Sequence, residues 1–247
     1  MNVVILSNGQ IGIFIVINYQ KSLLKGENMN IKDIVTDECF YISDGGKIHF
    51  HCGDTGCILI NGYWNDEYKE YNGENISEFY IPNTINGKPV VGLDCDTFDG
   101  MVKLSSFLIE DDNKYFSLYQ GGLYSKDMKT IYHMPPDHHQ QTFRVPDGVV
   151  YIFDSALSNP YIETLILPEG CEEIDQYGVA CAKKLKTIYI PKSMRFIGFK
   201  AFIWTSPEEV YYEGTEEDKK RIDFNEPLFN GGIVNAKWHY ECKIPKE

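Results

Sequence analysis

A period of 22 to 23 residues runs through the second half of this 247-residue chain and restricts it to a repeat architecture. Four segments align: Thr142-Phe143-Arg144-Val145-Pro146, Thr164-Leu165-Ile166-Leu167-Pro168, Thr187-Ile188-Tyr189-Ile190-Pro191 and Glu209-Val210-Tyr211-Tyr212. Their equivalent apolar residues Phe143, Leu165, Ile188 and Val210 are separated by 22, 23 and 22 residues. Three residues past each proline stand Val149, Cys171 and Met194, and six past it Ile152, Ile174 and Ile197. Eleven past it come Leu157, Val179 and Phe202, each behind a small residue (Ala156, Gly178, Ala201). Apolar residues at i and i+2 predict a short strand with one inward face. Proline, lacking an N–H, ends hydrogen bonding on that strand. The later apolar positions are expected to fill a loop or short helical turn that returns to the next strand. One such unit cannot bury its own apolar face, whereas a stack of them shares one core.

Two copies lie upstream with insertions. Phe79-Tyr80-Ile81-Pro82 leads to Val90, Leu93 and Phe98 through the turn Asn86-Gly87-Lys88-Pro89. Phe107-Leu108-Ile109 opens the next copy without a proline, and Phe143 follows only 36 residues later. A hairpin inserted at about 119–136 accounts for the excess: Gly121 to Tyr132 reads as two short strands around a Lys126-Asp127 turn.

The run Leu-x-x-Ile-x-Ile-Pro-x-x-Met-x-x-Ile-Gly-x-x-Ala-Phe, from Leu185 to Phe202, resembles the BspA-type (treponemal) leucine-rich repeat, and the resemblance covers about residues 38–241. Ala156-Leu157 and Gly178-Val179 depart from the Ala-Phe usual in that family. The resemblance implies a curved, right-handed leucine-rich-repeat solenoid used for binding, often secreted or on bacterial surfaces, with no catalytic residues to carry over. The expected fold is therefore a β-rich repeat solenoid of about five to six 22–23-residue repeats. It would carry the β-hairpin insertion, an antiparallel β N-cap and a helix-strand C-cap.

Repeat stacks need capped ends. Residues 29–72 are read as the N-terminal β-cap, with strands at Cys39–Ile42, Lys47–Cys52 and Cys57–Ile60, and 73–212 as the repeats. Residues 213–247 are the C-terminal cap: Thr215 is a fit N-cap for a short helix to Ile222, with acids in its first turn and bases in its last, and Ile233 to Tyr240 closes with a strand. Residues 1–28 are expected to be translated leader outside the fold. One reverse translation of Lys25-Gly26-Glu27 is AAA-GGA-GAA, a purine-rich ribosome-binding sequence ahead of Met29. No basic n-region or small-residue cleavage site of a secretory signal is present there. A start at Met29 favours the cytoplasm, against the family's frequent export.

Charge narrows the partners. With 36 Asp+Glu against 23 Lys+Arg the net charge is -13, and no basic stripe exists to displace counterions from nucleic acid or to hold an anionic membrane. The longest apolar stretch, Ile11 to Ile17, is far short of the roughly 20 residues of a membrane helix, so membrane insertion is not expected. The seven cysteines follow no disulfide-framework spacing, and reduced thiols are the default.

Phosphate loops, dinucleotide turns, His-Glu-x-x-His helices and Gly-x-Ser-x-Gly elbows are absent from the sequence. The nearest approach to chemistry is His49, His51, Cys52 and Cys57, a weak metal candidate: Cys52 and Cys57 can face each other across a hairpin, but His49 and His51 share the opposite strand face from Cys52. A thiol pair in the cap is the plainer alternative, and no cofactor is expected. His133, His138 and His139, around Pro135-Pro136, read as a solvated loop. Acid pairs such as Glu172-Glu173 and Asp111-Asp112 fall on turns.

The outward strand residues carry more. Tyr80, Leu108, Arg144, Ile166, Tyr189 and Tyr211 alternate with the inward positions and would stack, about 4.8 Å apart, into one ladder. A solvated ladder would be rich in Thr and Ser; this one is mostly aromatic and aliphatic with one Arg, and Tyr and Arg are enriched at binding hot spots. Ordinary β-propensity and cross-strand packing would also favour these residue types. The functional expectation is a non-catalytic module that recognises a protein, basic in character given the acidic rim. Carbohydrate recognition on the tyrosines is the alternative, and a hydrolase with an unrecognised carboxylate site comes third.

Overall fold

The computed structural model describes residues 4–5, 11–12, 39–43, 46–52, 54–60, 76–95 and 97–246. Two units are distinguishable, residues 1–76 with 81–100 and residues 77–80 with 101–247. In the first, β1 (Val4–Ile5) and β2 (Ile11–Gly12) pair antiparallel. Otherwise the expected leader falls outside the described residues.

The three strands predicted between residues 39 and 60 are present as β3 (Cys39–Ser43), β4 (Gly46–Cys52) and β5 (Cys57–Ile60), antiparallel in sequence order. β6 (Glu78–Ile81) belongs to a different sheet, and here β5 pairs in parallel with β8 (Lys88–Leu93), which in turn pairs with β7 (Thr84–Ile85) around the Asn86-Gly87 turn. Both turn residues adopt positive φ, 52° and 78°, as a tight two-residue connection requires.

In the second unit, the Phe79 ring on β6 meets the Phe107 ring on β9 (Ser106–Ile109) edge-on at 6.4 Å, and these two strands form a sheet of their own. The inserted segment is a three-stranded antiparallel meander, β10 (Phe116–Tyr119), β11 (Gly122–Ser125) and β12 (Thr130–His133). It contains one strand more than the hairpin expected from the sequence.

The aligned segments become β13 (Thr142–Arg144), β15 (Thr164–Ile166), β17 (Thr187–Ile190) and β19 (Glu209–Tyr212), parallel and in register. Phe143, Leu165, Ile188 and Val210 form one inward row, each no more than 1% exposed. Val145, Leu167, Ile190 and Tyr212 form the row below, equally buried.

The return segment differs from expectation. Where a loop or helical turn was foreseen, each unit places a two-residue strand: β14 (Tyr151–Ile152), β16 (Glu173–Ile174), β18 (Phe196–Ile197) and β20 (Asp223–Phe224). These extend from β12 as a second parallel sheet. The cause is backbone accounting. Phe153, Asp175, Gly198 and Asn225 donate their N–H groups to the carbonyls of Ile131, Ile152, Ile174 and Ile197, one unit back. Ile131, Ile152, Ile174 and Ile197 are fully buried. The small residue before the third apolar position is needed because space is short there: a Cβ on Gly178 would lie 2.7 Å from Ile174 Cγ2.

At the far end α1 (Glu216–Lys219) starts at the predicted Thr215 cap but stops short of the expected Ile222, and Thr215 and Asp218 close a reciprocal capping box. The stretch read as a strand from Ile233 is instead a short helix, α2 (Gly231–Val234), followed by β21 (Lys237–His239), which pairs in parallel with β19. Gly231-Gly232 and the buried Asn230, whose side chain bonds the backbone of Gly198, Asn225 and Phe202, hold that turn.

Candidate functional site

The outward face of the five-stranded sheet β13-β15-β17-β19-β21 carries two rows fixed by the register. One reads Thr142, Thr164, Thr187, Glu209, Lys237; the next reads Arg144, Ile166, Tyr189, Tyr211, His239. The face is thus polar and threonine-rich along one row and aromatic along the other. Tyr189 and Tyr211 stack with centroids 4.9 Å apart and ring planes 15° from parallel, and His239 continues the stack at 4.7 Å and 11°. His239 was not foreseen, because 28 residues separate Val210 from its partner Trp238 and the period is lost. A Trp-His pair following the closing helix was the available signal.

His239 Nε2 bonds Glu209 Oε2 at 2.5 Å, and Lys237 Nζ lies 3.6 Å from Glu209 Oε1. The hydrogen bond from His239, with help from the Lys237 charge, holds the Glu209 carboxyl below its ordinary range. The stack therefore ends at a polar triplet of His239, Glu209 and Lys237.

The six predicted ladder residues are not one run. Arg144, Ile166, Tyr189 and Tyr211 share the row just described. Tyr80 and Leu108 lie on the separate pair β6-β9, with Tyr80 Oη donating to Glu110 at 2.5 Å. Leu108 is 45% exposed, whereas Ile166 is only 6% exposed and so offers little surface.

The metal candidate is corrected in part. Cys52 and Cys57 are opposite each other across the β4-β5 pair, 4.0 Å between Cα atoms, and are joined as a disulfide. Their sulfurs bond each other and are not available as thiolate ligands, and the expectation of reduced thiols fails at these two positions. The side chains of His49 and His51 lie outside the described residues.

His133 is also corrected. It is buried, edge-on to Phe107 at 6.2 Å, and burial pushes its pKa down to about 3. His139, by contrast, is in the polar loop, 2.9 Å from Asp137 and against the Tyr161 ring. Cys171 packs as the small core residue predicted, and burial raises its thiol pKa to about 12. Among the described residues no helix is long and apolar enough to cross a membrane.

Repeated parallel strands in two in-register sheets, with inward rows that are apolar throughout, define the repeat-protein class. Residues 138–221 match the family described as BspA type Leucine rich repeat region (6 copies). Among solved structures, the pneumococcal vaccine antigen PcpA is similar at 16% identity and TM-score 0.48, over 70% of this chain and 56% of that one. A leucine-rich repeat protein from Eubacterium ventriosum is similar at 17% and 0.49, over 55% and 36%. A leucine rich cell surface protein from Faecalibacterium prausnitzii is similar at 16% and 0.40, over 60% and 51%. The chain thus spans between 36% and 56% of the length of these proteins. No curated protein matches it.

Proposed function

We propose that the chain is a non-catalytic binding module, a right-handed leucine-rich-repeat solenoid ended by the segment 213–247, that recognises a protein through the outward row of its strand ladder. The observation that carries this reading is the Tyr189-Tyr211-His239 stack, in one row with Arg144 and next to the row that begins Thr142, Thr164 and Thr187. Tyrosine supplies large contact area with few rotamers to freeze, and arginine adds several directed hydrogen-bond donors. The net charge of -13, with Asp147 and Glu169 exposed on the turns after the strands, favours a basic partner by electrostatic steering.

The stacking geometry speaks against the carbohydrate alternative. A sugar binds an aromatic residue across the ring face, yet Tyr211 has both faces against neighbours, Tyr189 on one side and His239 on the other. What the row presents outward is ring edges and hydroxyls, which suit polar and main-chain groups of a protein. A hydrolase reading gains no support from Asp175, whose carboxylate accepts from Tyr151 Oη and from the Gln176 N–H.

A proteome pull-down with the parent and with Tyr189→Ser plus Tyr211→Ser, beside a glycan array, tests the reading. A protein captured by the parent and lost by the pair, with no glycan bound, is expected. Capture unchanged by the pair, or a specific glycan signal lost with it, overturns protein recognition by this row.

A further inference from the structure

The residues after β21 turn back across the ladder. Glu241 takes left-handed backbone at φ 55°, its N–H bonds the Gly214 carbonyl at 2.9 Å, and the Cys242 N–H bonds the Tyr212 carbonyl at 3.0 Å. Three residues on, the Pro245 carbonyl accepts from the Arg144 guanidinium. Tyr212 ends β19 and Arg144 lies on β13, at the opposite edge of the sheet, with β15 and β17 between. Three strand spacings are roughly 14 Å. Three extended residues cover about 10 Å of that, and the arginine side chain reaches the remainder. Arg144 points outward, because its neighbour Phe143 is 1% exposed on the inner side. The segment therefore crosses the outward face rather than leaving the end of the stack.

Burial agrees with the crossing. Ile166, the outward residue of β15, is 6% exposed, while Leu108, outward on β9 and away from the segment, is 45% exposed. Cys242, Ile244 and Pro245 are themselves half-buried, and Lys243 and Lys246 are exposed. Proline fixes its own backbone and holds the preceding residue extended, so Ile244-Pro245 crosses with little conformational entropy left to lose.

We propose that Cys242–Lys246 is a strap that occupies the Arg144–Ile166 part of the ladder, and that the partner displacing it is an extended, lysine- and proline-bearing peptide segment presenting a main-chain carbonyl to Arg144. This rests on the ladder being the recognition face, and it adds what that face takes. The strap's two lysines give a positive segment to a chain of net charge -13, the complementarity expected of the partner.

Two measurements test it. In the full chain, trypsin cleavage after Lys243, followed by mass spectrometry, is expected to be roughly tenfold slower than in the free peptide of residues 237–247. Arg144→Ala, with unchanged circular dichroism, is expected to restore most of that rate, as loss of a charge-assisted hydrogen bond predicts. In a chain lacking residues 243–247, the peptide of residues 242–247 with Cys242→Ser is expected to shift the amide NMR signals of Arg144, Ile166 and Tyr189. The same peptide with both lysines changed to Glu is expected to bind roughly tenfold more weakly. Cleavage of the full chain at the free-peptide rate, protection that survives Arg144→Ala, or shifts confined to other strands would each overturn the strap. The tyrosine-pair pull-down separates the two ideas. An unprotected strap with capture lost by the pair removes the strap alone, and a protected strap with capture unchanged removes the ladder's role in recognition.

Discussion

The rings of Tyr189 and Tyr211 lie face to face, 4.9 Å between centroids, because β17 and β19 run parallel with these two residues in register. The register is set on the other side of the sheet, where Ile188 and Val210 are both 0% exposed. Core packing thus fixes the spacing of the surface stack, and the stack is not needed to fix the core. Tyr189→Ser plus Tyr211→Ser is expected to leave far-UV circular dichroism unchanged. Thermal unfolding should shift down by only a few degrees, since cross-strand aromatic pairs contribute about 0.2–1 kcal/mol each. A loss of the cooperative transition would mean that the stack is part of the fold and not a surface laid upon it.

The converse substitution reaches the core. Ile188 sits between Leu165 and Val210 in the inward row with no accessible surface. Ile188→Ala removes three buried carbons from a unit whose neighbours are held by hydrogen bonds on both edges and cannot collapse freely. The expected loss is about 3–4 kcal/mol, read as a fall in the urea midpoint. A loss under about 1 kcal/mol would show that neighbouring units slide to fill the space.

The inward rows were legible in the sequence because a stack of equal units repeats its spacing: Phe143, Leu165, Ile188 and Val210 recur at the period and pair as it demands. The second sheet was not legible. Two-residue strands such as Glu173–Ile174 are too short to show alternation, and their hydrogen bonds go to a residue one unit away. The candidate site was half visible. The outward row follows from alternation once the strands are placed, but His239 falls after a closing segment of different length. The low exposure of Ile166 accompanies a crossing segment nearly 80 residues later in the chain. The Cys52–Cys57 bridge was left open because facing thiols on a hairpin suit a bridge, a metal or neither.

Tyr151 and Asp175 form a pair across β14 and the turn after β16. Burial raises the Asp175 pKa above its ordinary 3.8, while hydrogen bonds from Tyr151 and the Gln176 N–H oppose the rise. Tyr151→Phe keeps the ring against Phe153 and deletes one donor to a largely buried carboxylate. At pH 7 this is expected to cost about 1–2 kcal/mol. The sign with pH follows from linkage. A raised native pKa means that the folded chain holds the proton more tightly, so this group's contribution to stability grows as pH falls from the native value towards 3.8. Once Asp175 is protonated it no longer needs a donor, and parent and variant should converge towards pH 4 in urea titrations. A difference of constant size from pH 7 to pH 4 would mean that Asp175 stays ionised throughout.

His133 carries the opposite sign. Burial holds it neutral, moving its pKa from 6.5 down to about 3. Below pH 6.5 the unfolded chain takes up a proton that the folded chain refuses until about pH 3. The unfolded state therefore binds more protons through that window, and stability falls as pH is lowered across it. One group shifted this far costs about 1.4 kcal/mol per pH unit, or about 2 kcal/mol between pH 6.5 and pH 5. His133→Phe keeps an aromatic ring beside Phe107 and removes the titrating nitrogen. Whatever its effect on stability at pH 7, the variant is expected to lose that slope, so that urea midpoints at pH 6.5 and pH 5 lie closer together than in the parent. Parallel curves for parent and variant would show that His133 takes up its proton in the folded chain as readily as in the unfolded one, and that the ring is open to water.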